Sequence, residues 1–196
     1  MSLPIGVLAL QGDFREHAAA LDRIGVSSLK VRTLEELNSV SGLIIPGGES
    51  TVMHKLSVSY GLFEPIRAKI KSGLPVFGTC AGLIMLSNNI QDGIVGQETF
   101  GGLDVTVRRN AFGHQNDSFE IDLDFRGIDD GRVHAAFIRA PLITELGKDV
   151  EVLAALPDGG VVGVRQGNLM GISFHPEVTG EDRIHKLFAD IVAGLK

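Results

Sequence analysis

The sequence predicts an α/β fold: three layers, with a mostly parallel central sheet, helices on both of its faces and an antiparallel extension. Three observations carry that prediction. Up to residue 86, short runs that are apolar on both faces alternate with stretches of helical periodicity, as strands joined by crossover helices do. From residue 103 the runs alternate apolar with polar and are separated by turn clusters such as Pro157-Asp158-Gly159-Gly160, which suits antiparallel strands. With 196 residues, 44% of them hydrophobic, the chain has enough apolar surface to bury a core between such layers.

Each element has its own local signal. Ile5-Gly6-Val7-Leu8-Ala9-Leu10 is a buried strand ended by Gln11-Gly12. Asp13 is placed to cap a helix carrying Phe14, Ala18 and Leu21, and Gly25 supplies its stop. A second strand is expected over Ser28–Val31. Thr33-Leu34-Glu35-Glu36 then has the capping-box spacing that opens a short helix. Gly42-Leu43-Ile44-Ile45 is a third buried strand. After the loop Pro46-Gly47-Gly48-Glu49-Ser50-Thr51, one helix runs to Tyr60-Gly61, and another, with Phe63, Ile66 and Ile70 on one face, runs to Gly73. Residues 75–77 lead a fourth strand into a helix. Residues 88–102 are polar and glycine-rich, a surface loop or insertion. Strands are expected at 103–107, 119–125, 133–138, 150–155, 161–165 and 169–174. A final helix carries Ile184, Leu187, Phe188, Ile191 and Leu195 on one face. No repeat or linker divides the chain, so one domain over residues 1–196 is expected.

Composition narrows the function classes. The net charge is −6 and no basic run occurs, which argues against nucleic acid as a partner. No apolar run approaches the ~18 residues of a membrane span. Met1-Ser2-Leu3-Pro4 leads straight into a strand without a basic region or cleavage site, so a cytoplasmic location is expected. The single cysteine permits no internal disulfide and no cysteine-rich zinc site.

That cysteine lies in Val76-Phe77-Gly78-Thr79-Cys80-Ala81-Gly82-Leu83-Ile84, a strand, a sharp turn and a helix with Cys80 at the apex. Such an elbow strains the apex backbone and needs glycine on its flanks. At a helix N-terminus, unpaired N–H groups and the helix dipole favour a thiolate. The paired glycines of the 46–51 loop free backbone N–H groups to face a ligand. They follow the third strand, where nucleophile-elbow enzymes place one oxyanion donor, here Gly48; the other is the N–H of Ala81. A thiol also needs a base. His17, His54 and His185 fall on helices and are expected to be solvated; His114 lies in a polar loop and His134 begins a strand. His175 ends an apolar strand in Phe174-His175-Pro176-Glu177. Pro176 keeps His175 extended, which would project His175 and Glu177 to the same side and let the carboxylate fix the imidazole tautomer. Cys80, His175 and Glu177 are the expected triad.

Gly78-Thr79-Cys80-Ala81-Gly82 together with Phe174-His175-Pro176-Glu177 resembles the triad-type (class I) glutamine amidotransferases. Within that superfamily the chain is most similar to the glutaminase subunits of pyridoxal 5′-phosphate synthase. The closer resemblance rests on Leu8-Ala9-Leu10-Gln11-Gly12-Asp13, the 46–51 loop, the elbow, Arg109-Asn110-Ala111-Phe112-Gly113, Asp117-Ser118-Phe119-Glu120 and Phe137-Ile138-Arg139-Ala140-Pro141. His114 departs from it, since arginine is the usual residue there. The resemblance implies that Gly48, Glu49, Ser50, Arg109, Ile138 and Arg139 line a glutamine site. Guanidinium groups at strand ends suit an α-carboxylate. It also implies hydrolysis of L-glutamine to L-glutamate and ammonia, without metal or organic cofactor. The acceptor is expected to be a separate polypeptide, the pyridoxal 5′-phosphate synthase subunit that condenses a pentose and a triose phosphate, because the sequence given stops directly after its last helix. Alternatives from the residues are the glutaminase subunit of another pathway, such as imidazole glycerol phosphate synthase, a non-catalytic glutamine-binding regulator, and a cysteine peptidase.

Overall fold

Alternation along each buried strand decides which side chains meet which layer. The computed structural model describes residues 3–109 and 118–195. In chain order, its first half holds β1 (Ile5–Leu8), α1 (Phe14–Arg23), β2 (Ser28–Val31), α2 (Leu34–Asn38), β3 (Gly42–Ile45), α3 (Ser50–Ser59), α4 (Phe63–Lys71), β4 (Val76–Thr79) and α5 (Ala81–Leu86). There follow β5 (Ser87–Gln91), β6 (Leu103–Arg108), β7 (Ser118–Leu123), β8 (Val133–Ile138), β9 (Leu142–Leu146), β10 (Glu151–Ala155), β11 (Val161–Gln166), β12 (Leu169–Ile172), α6 (Pro176–Thr179) and α7 (Asp182–Val192).

The main sheet has the order β2-β1-β3-β4-β12-β11-β9-β6-β5, with β10 also paired to β11. Strands β2, β1, β3, β4 and β12 are mutually parallel, whereas β11 runs antiparallel to β12, β10 and β9. Two cores result. Leu43 and Ile45 of β3 and Val76 of β4 face α2, α3, α4 and α5, while Ile44, Phe77, Val7 and Ile172 face α1 and α7. The mostly parallel sheet with helices on both faces and its antiparallel extension are as the sequence predicts.

Several local expectations are corrected. Strand β1 ends at Leu8, two residues early, and Asp13 makes no capping hydrogen bond to α1. The β7–β8 pair is a separate antiparallel ribbon laid over the α1/α7 face, with Phe137 packed on Phe174 at 5.5 Å between ring centroids. Leu195 lies beyond α7 and is 73% exposed, so it is not part of that helix's apolar face. Residues 87–91 form an edge strand although Ser87-Asn88-Asn89 is polar, because an edge needs only one paired side. Strand β9 fills the gap between β6 and β11, a place its sequence does not announce. Among the described residues no helix is long and apolar enough to cross a membrane.

Candidate active site

The site forms where four parallel strands end, the usual position of ligands on an open α/β sheet. Chain leaving β1 brings Asp13, that leaving β3 brings Gly47 to Ser50, β4 delivers Cys80 and β12 delivers His175. Cys80 adopts φ 49° and ψ −106°, the strained apex the sequence predicts. Its flanks explain the glycines. A Cβ on Gly82 would lie 1.9 Å from the Ile45 carbonyl oxygen, and one on Gly78 would lie 2.5 Å from that of Gly82. The Cys80 N–H is tied to the Ile172 carbonyl at 2.9 Å, which fixes the apex against β12. Ala81 opens α5, so its N–H has no acceptor within the helix.

His175 is 5% exposed and Glu177 6%. The Nδ1–H of His175 donates to Glu177 Oε1 at 2.7 Å, leaving the other ring nitrogen for Cys80, which lines the same cavity. Burial opposes a charge on His175, yet the hydrogen bonds to Cys80 and Glu177 outweigh it and raise its pKa to about 10. Burial also raises Glu177, against the pull of His175. The contact is not made by an extended chain. His175 caps α6, Pro176 is its first residue, and the chain bends into this short helix so that Glu177, its second residue, meets the imidazole. The His175 N–H donates to Ala136 on β8 at 3.0 Å, so the ribbon anchors this turn.

A cavity of about 470 Å³ opens in front of the thiol. Gly48, Glu49, Ser50, Ala81, Arg109, Ile138 and Arg139 all line it with Cys80 and His175, as does Asp13. Gly48 has φ +142°, and a Cβ there would strike the Gln11 side chain at 2.3 Å. Gln11 Oε1 in turn accepts the Glu49 N–H at 3.1 Å, locking the loop to the end of β1. Glu49 caps α3 through the Val52 N–H at 3.0 Å and pairs with Arg109 at 2.8 Å. Burial would raise Glu49, but its bonds to Thr51 and Val52, together with Arg109, hold it below the usual carboxylate range. Arg109 is thereby committed to protein partners, including Gln97 Oε1 at 3.1 Å. Arg139 is different: it is exposed, makes no ion pair among the described residues, and has φ +48°. Of the three non-glycine residues with positive φ among those described, Cys80 and Arg139 both line this cavity.

Comparison with known proteins decides the family. The model of the SNO glutamine amidotransferase family matches residues 7–193. The chain belongs to that family. "Pyridoxal 5'-phosphate synthase subunit PdxT" of Clavibacter sepedonicus is 58% identical over 188 residues, which cover 96% of this chain and 90% of that one. The protein of the same name from Nocardioides sp. is 56% identical over 192 residues, 96% of this chain and 95% of that one. A crystal structure described as a glutamine amidotransferase superposes with a TM-score of 0.90 at 48% identity, covering 96% of this chain and 98% of that one. PurLQS from Thermotoga maritima shares the fold alone, with a TM-score of 0.70 at 19% identity and complete coverage of both chains.

For this amidotransferase the structure brings together every site residue expected from sequence that lies among the described ones. Asn110 to Gly113, His114 and Asp117 lie outside them. Asp13 was expected only as a cap; its carboxylate instead sits 3.6 Å from His175 Nδ1. The signal was available, since Asp13 follows a buried parallel strand. Asp13, His175 and Glu177 are also the group able to chelate a cation among the described residues, their ligand atoms lying within 4.8 Å of one another. An ion there would draw His175 Nδ1 away from Glu177. His17 and His185, expected in solvent, are both fully buried. Their helices pack against each other and tie at Arg23 and Asp182, with Nη2 to Oδ1 at 2.7 Å and Nε to Oδ2 at 2.8 Å.

Proposed function

We propose that the chain is the glutaminase subunit of a pyridoxal 5′-phosphate synthase, hydrolysing L-glutamine to L-glutamate and ammonia and passing the ammonia to a separate synthase subunit. The observation that carries the reading is the His175 imidazole, bound by Glu177 at 2.7 Å on one nitrogen and sharing with Cys80 a cavity lined by arginine. Family membership supports glutamine as the substrate, and the names of the relatives support the pathway. Cys80 Sγ attacks the side-chain amide carbon of glutamine. The N–H groups of Ala81 and Gly48 receive the oxyanion. As the tetrahedral adduct collapses, the C–N bond breaks and His175 gives its proton to the leaving ammonia. His175 then takes a proton from water, which attacks the thioester, releases glutamate and restores the thiol. Glu177 keeps the ring oriented and balances the imidazolium. Arg139 takes the α-carboxylate, Glu49 offers negative charge to the α-ammonium, and Ser50 and Ile138 complete the seat.

Docking to the synthase switches the site on. The Gly47-Gly48 peptide is free of Cβ barriers, and the Gly47 carbonyl is held by one long bond from the Asp13 N–H at 3.3 Å. A partner that prefers one orientation of this peptide thereby sets the oxyanion donor. Treating the chain with a glutamine-analogue electrophile, with and without the synthase subunit, tests the reading. A single adduct on the Cys80 peptide, suppressed by glutamine, is the expected result; no adduct, or one that glutamine does not suppress, would contradict it.

A further inference from the structure

Behind the triad carboxylate lies a second pair of imidazoles that the mechanism above leaves unused. Glu177 Oε1 receives the His175 N–H, but Glu177 Oε2 is buried with no hydrogen-bond partner. His17 Nε2 faces it at 3.6 Å, an electrostatic contact rather than a hydrogen bond. His17 Nε2 also lies 3.1 Å from Thr79 Oγ1, the residue before the nucleophile, and His17 Nδ1 lies 2.9 Å from His185 Nε2. Phe77 closes the pocket edge-on, with ring centroids 6.3 Å from His17 and 6.0 Å from His185.

Both rings are neutral. Burial above all, then the neighbouring His185 and His175, holds His17 well below its ordinary pKa, and burial takes His185 to about 4. Two neutral imidazoles share one hydrogen bond, so only two proton arrangements exist. If His17 Nδ1–H donates to His185, the His17 Nε2 lone pair faces the Glu177 carboxylate. His185 Nδ1–H is then a buried donor with no acceptor. If His185 Nε2–H donates to His17 Nδ1, the proton of His17 sits on Nε2, toward Thr79 Oγ1 and Glu177 Oε2. The unpaired atom is then only an acceptor lone pair. Orphaned buried N–H groups are rarer than under-satisfied acceptors, and a lone pair against a carboxylate is repulsive. The second arrangement wins on both counts.

We infer that His17 is a positioning residue for the glutaminase reaction: with its proton held on Nε2 by His185, it turns an N–H dipole toward the free oxygen of Glu177 and fixes the carboxylate under His175. The inference rests on the glutaminase reading. It is tested with the full chain in complex with its synthase subunit, comparing wild type, His17→Leu and His17→Gln. The leucine variant is expected to lose between about ten- and a hundredfold in kcat with the glutamine KM within about twofold of wild type. The glutamine variant, whose amide N–H reaches a similar place, is expected to recover most of that loss. An active wild type with an unimpaired His17→Leu overturns the role alone, and so does a loss that His17→Gln fails to recover. A wild type that releases no glutamate overturns the glutaminase reading and the role with it. Should the leucine variant not fold, nitrogen NMR of histidine-labelled wild type decides: His17 must be protonated on Nε2 and bare on Nδ1, and the reverse pattern refutes the inference.

Discussion

At the scale of single residues, the members of the proposed triad differ in what they touch and so in what their loss should cost. His175 contacts both the nucleophile and the carboxylate, whereas Glu177 reaches the chemistry only through His175. Steady-state glutamate release should therefore fall to background in His175→Asn but keep a measurable fraction in Glu177→Gln. Equal losses would mean that Glu177 does more than orient. The two arginines separate in the same way. Because Arg109 is paired with Glu49 and Gln97 while Arg139 makes no ion pair among the described residues, Arg139→Ala should raise the glutamine KM. A charge-assisted pair is worth about 1.5–3 kcal/mol, so the rise should be at least about tenfold; an unchanged KM would move the carboxylate site to Arg109. The clustering of Cys80, His175 and Glu177 was legible because an elbow and a His-Pro-Glu turn are local patterns. His17 and His185 were not. A histidine on an amphipathic helix declares neither its burial nor its partner, and here the partner comes from a helix 168 residues away.

At the scale of elements, the glycines around the elbow test two different things. Gly82 meets backbone: a Cβ there would sit 1.9 Å from the Ile45 carbonyl, which cannot yield without moving β3. Gly47 needs no glycine for its own φ, but a Cβ there would lie 2.5 Å from His175 Cε1. Gly82→Ala should therefore lower stability, by about 1–3 kcal/mol or more in denaturant unfolding. Gly47→Ala should leave the midpoint nearly unchanged while cutting kcat by at least about tenfold through displacement of His175. The opposite pattern would show that the loop, not the elbow, supports the fold. The buried parallel strands and the amphipathic helices were readable from periodicity alone. The α6 turn was not, because a proline after a strand reads as extended chain, although proline equally suits the first turn of a helix. The sequence also left the β7–β8 ribbon undetached from the main sheet, since strand patterns do not state which sheet they join.

At the scale of the whole molecule, the buried histidines make stability depend on pH. His17 and His185 have folded pKa values below the ordinary 6.5, His185 at about 4, so below pH 6.5 the unfolded chain takes up protons that the folded one refuses. Stability should fall as pH drops from 6.5 toward 4, by on the order of 3 kcal/mol for His185 alone. Glu177, raised by burial, offsets part of that loss, one group against two. His175, raised to about 10, contributes fully below 6.5 and loses its contribution as pH climbs toward 10. Melting temperatures should therefore peak near neutral pH and decline on both sides; a flat profile from pH 4.5 to 6.5 would contradict the neutral pair. The central proposal is that Cys80 splits glutamine for a partner enzyme. The direct measurement is glutamate release at saturating glutamine by the free chain, by its complex with the synthase subunit, and by the Cys80→Ala complex. The expected rates are weak for the free chain, strongly raised for the complex, with one oxyanion donor worth ~10²–10³ in kcat, and none for the Cys80→Ala complex. Equal rates for the free chain and the complex, or substantial turnover by Cys80→Ala, would contradict it.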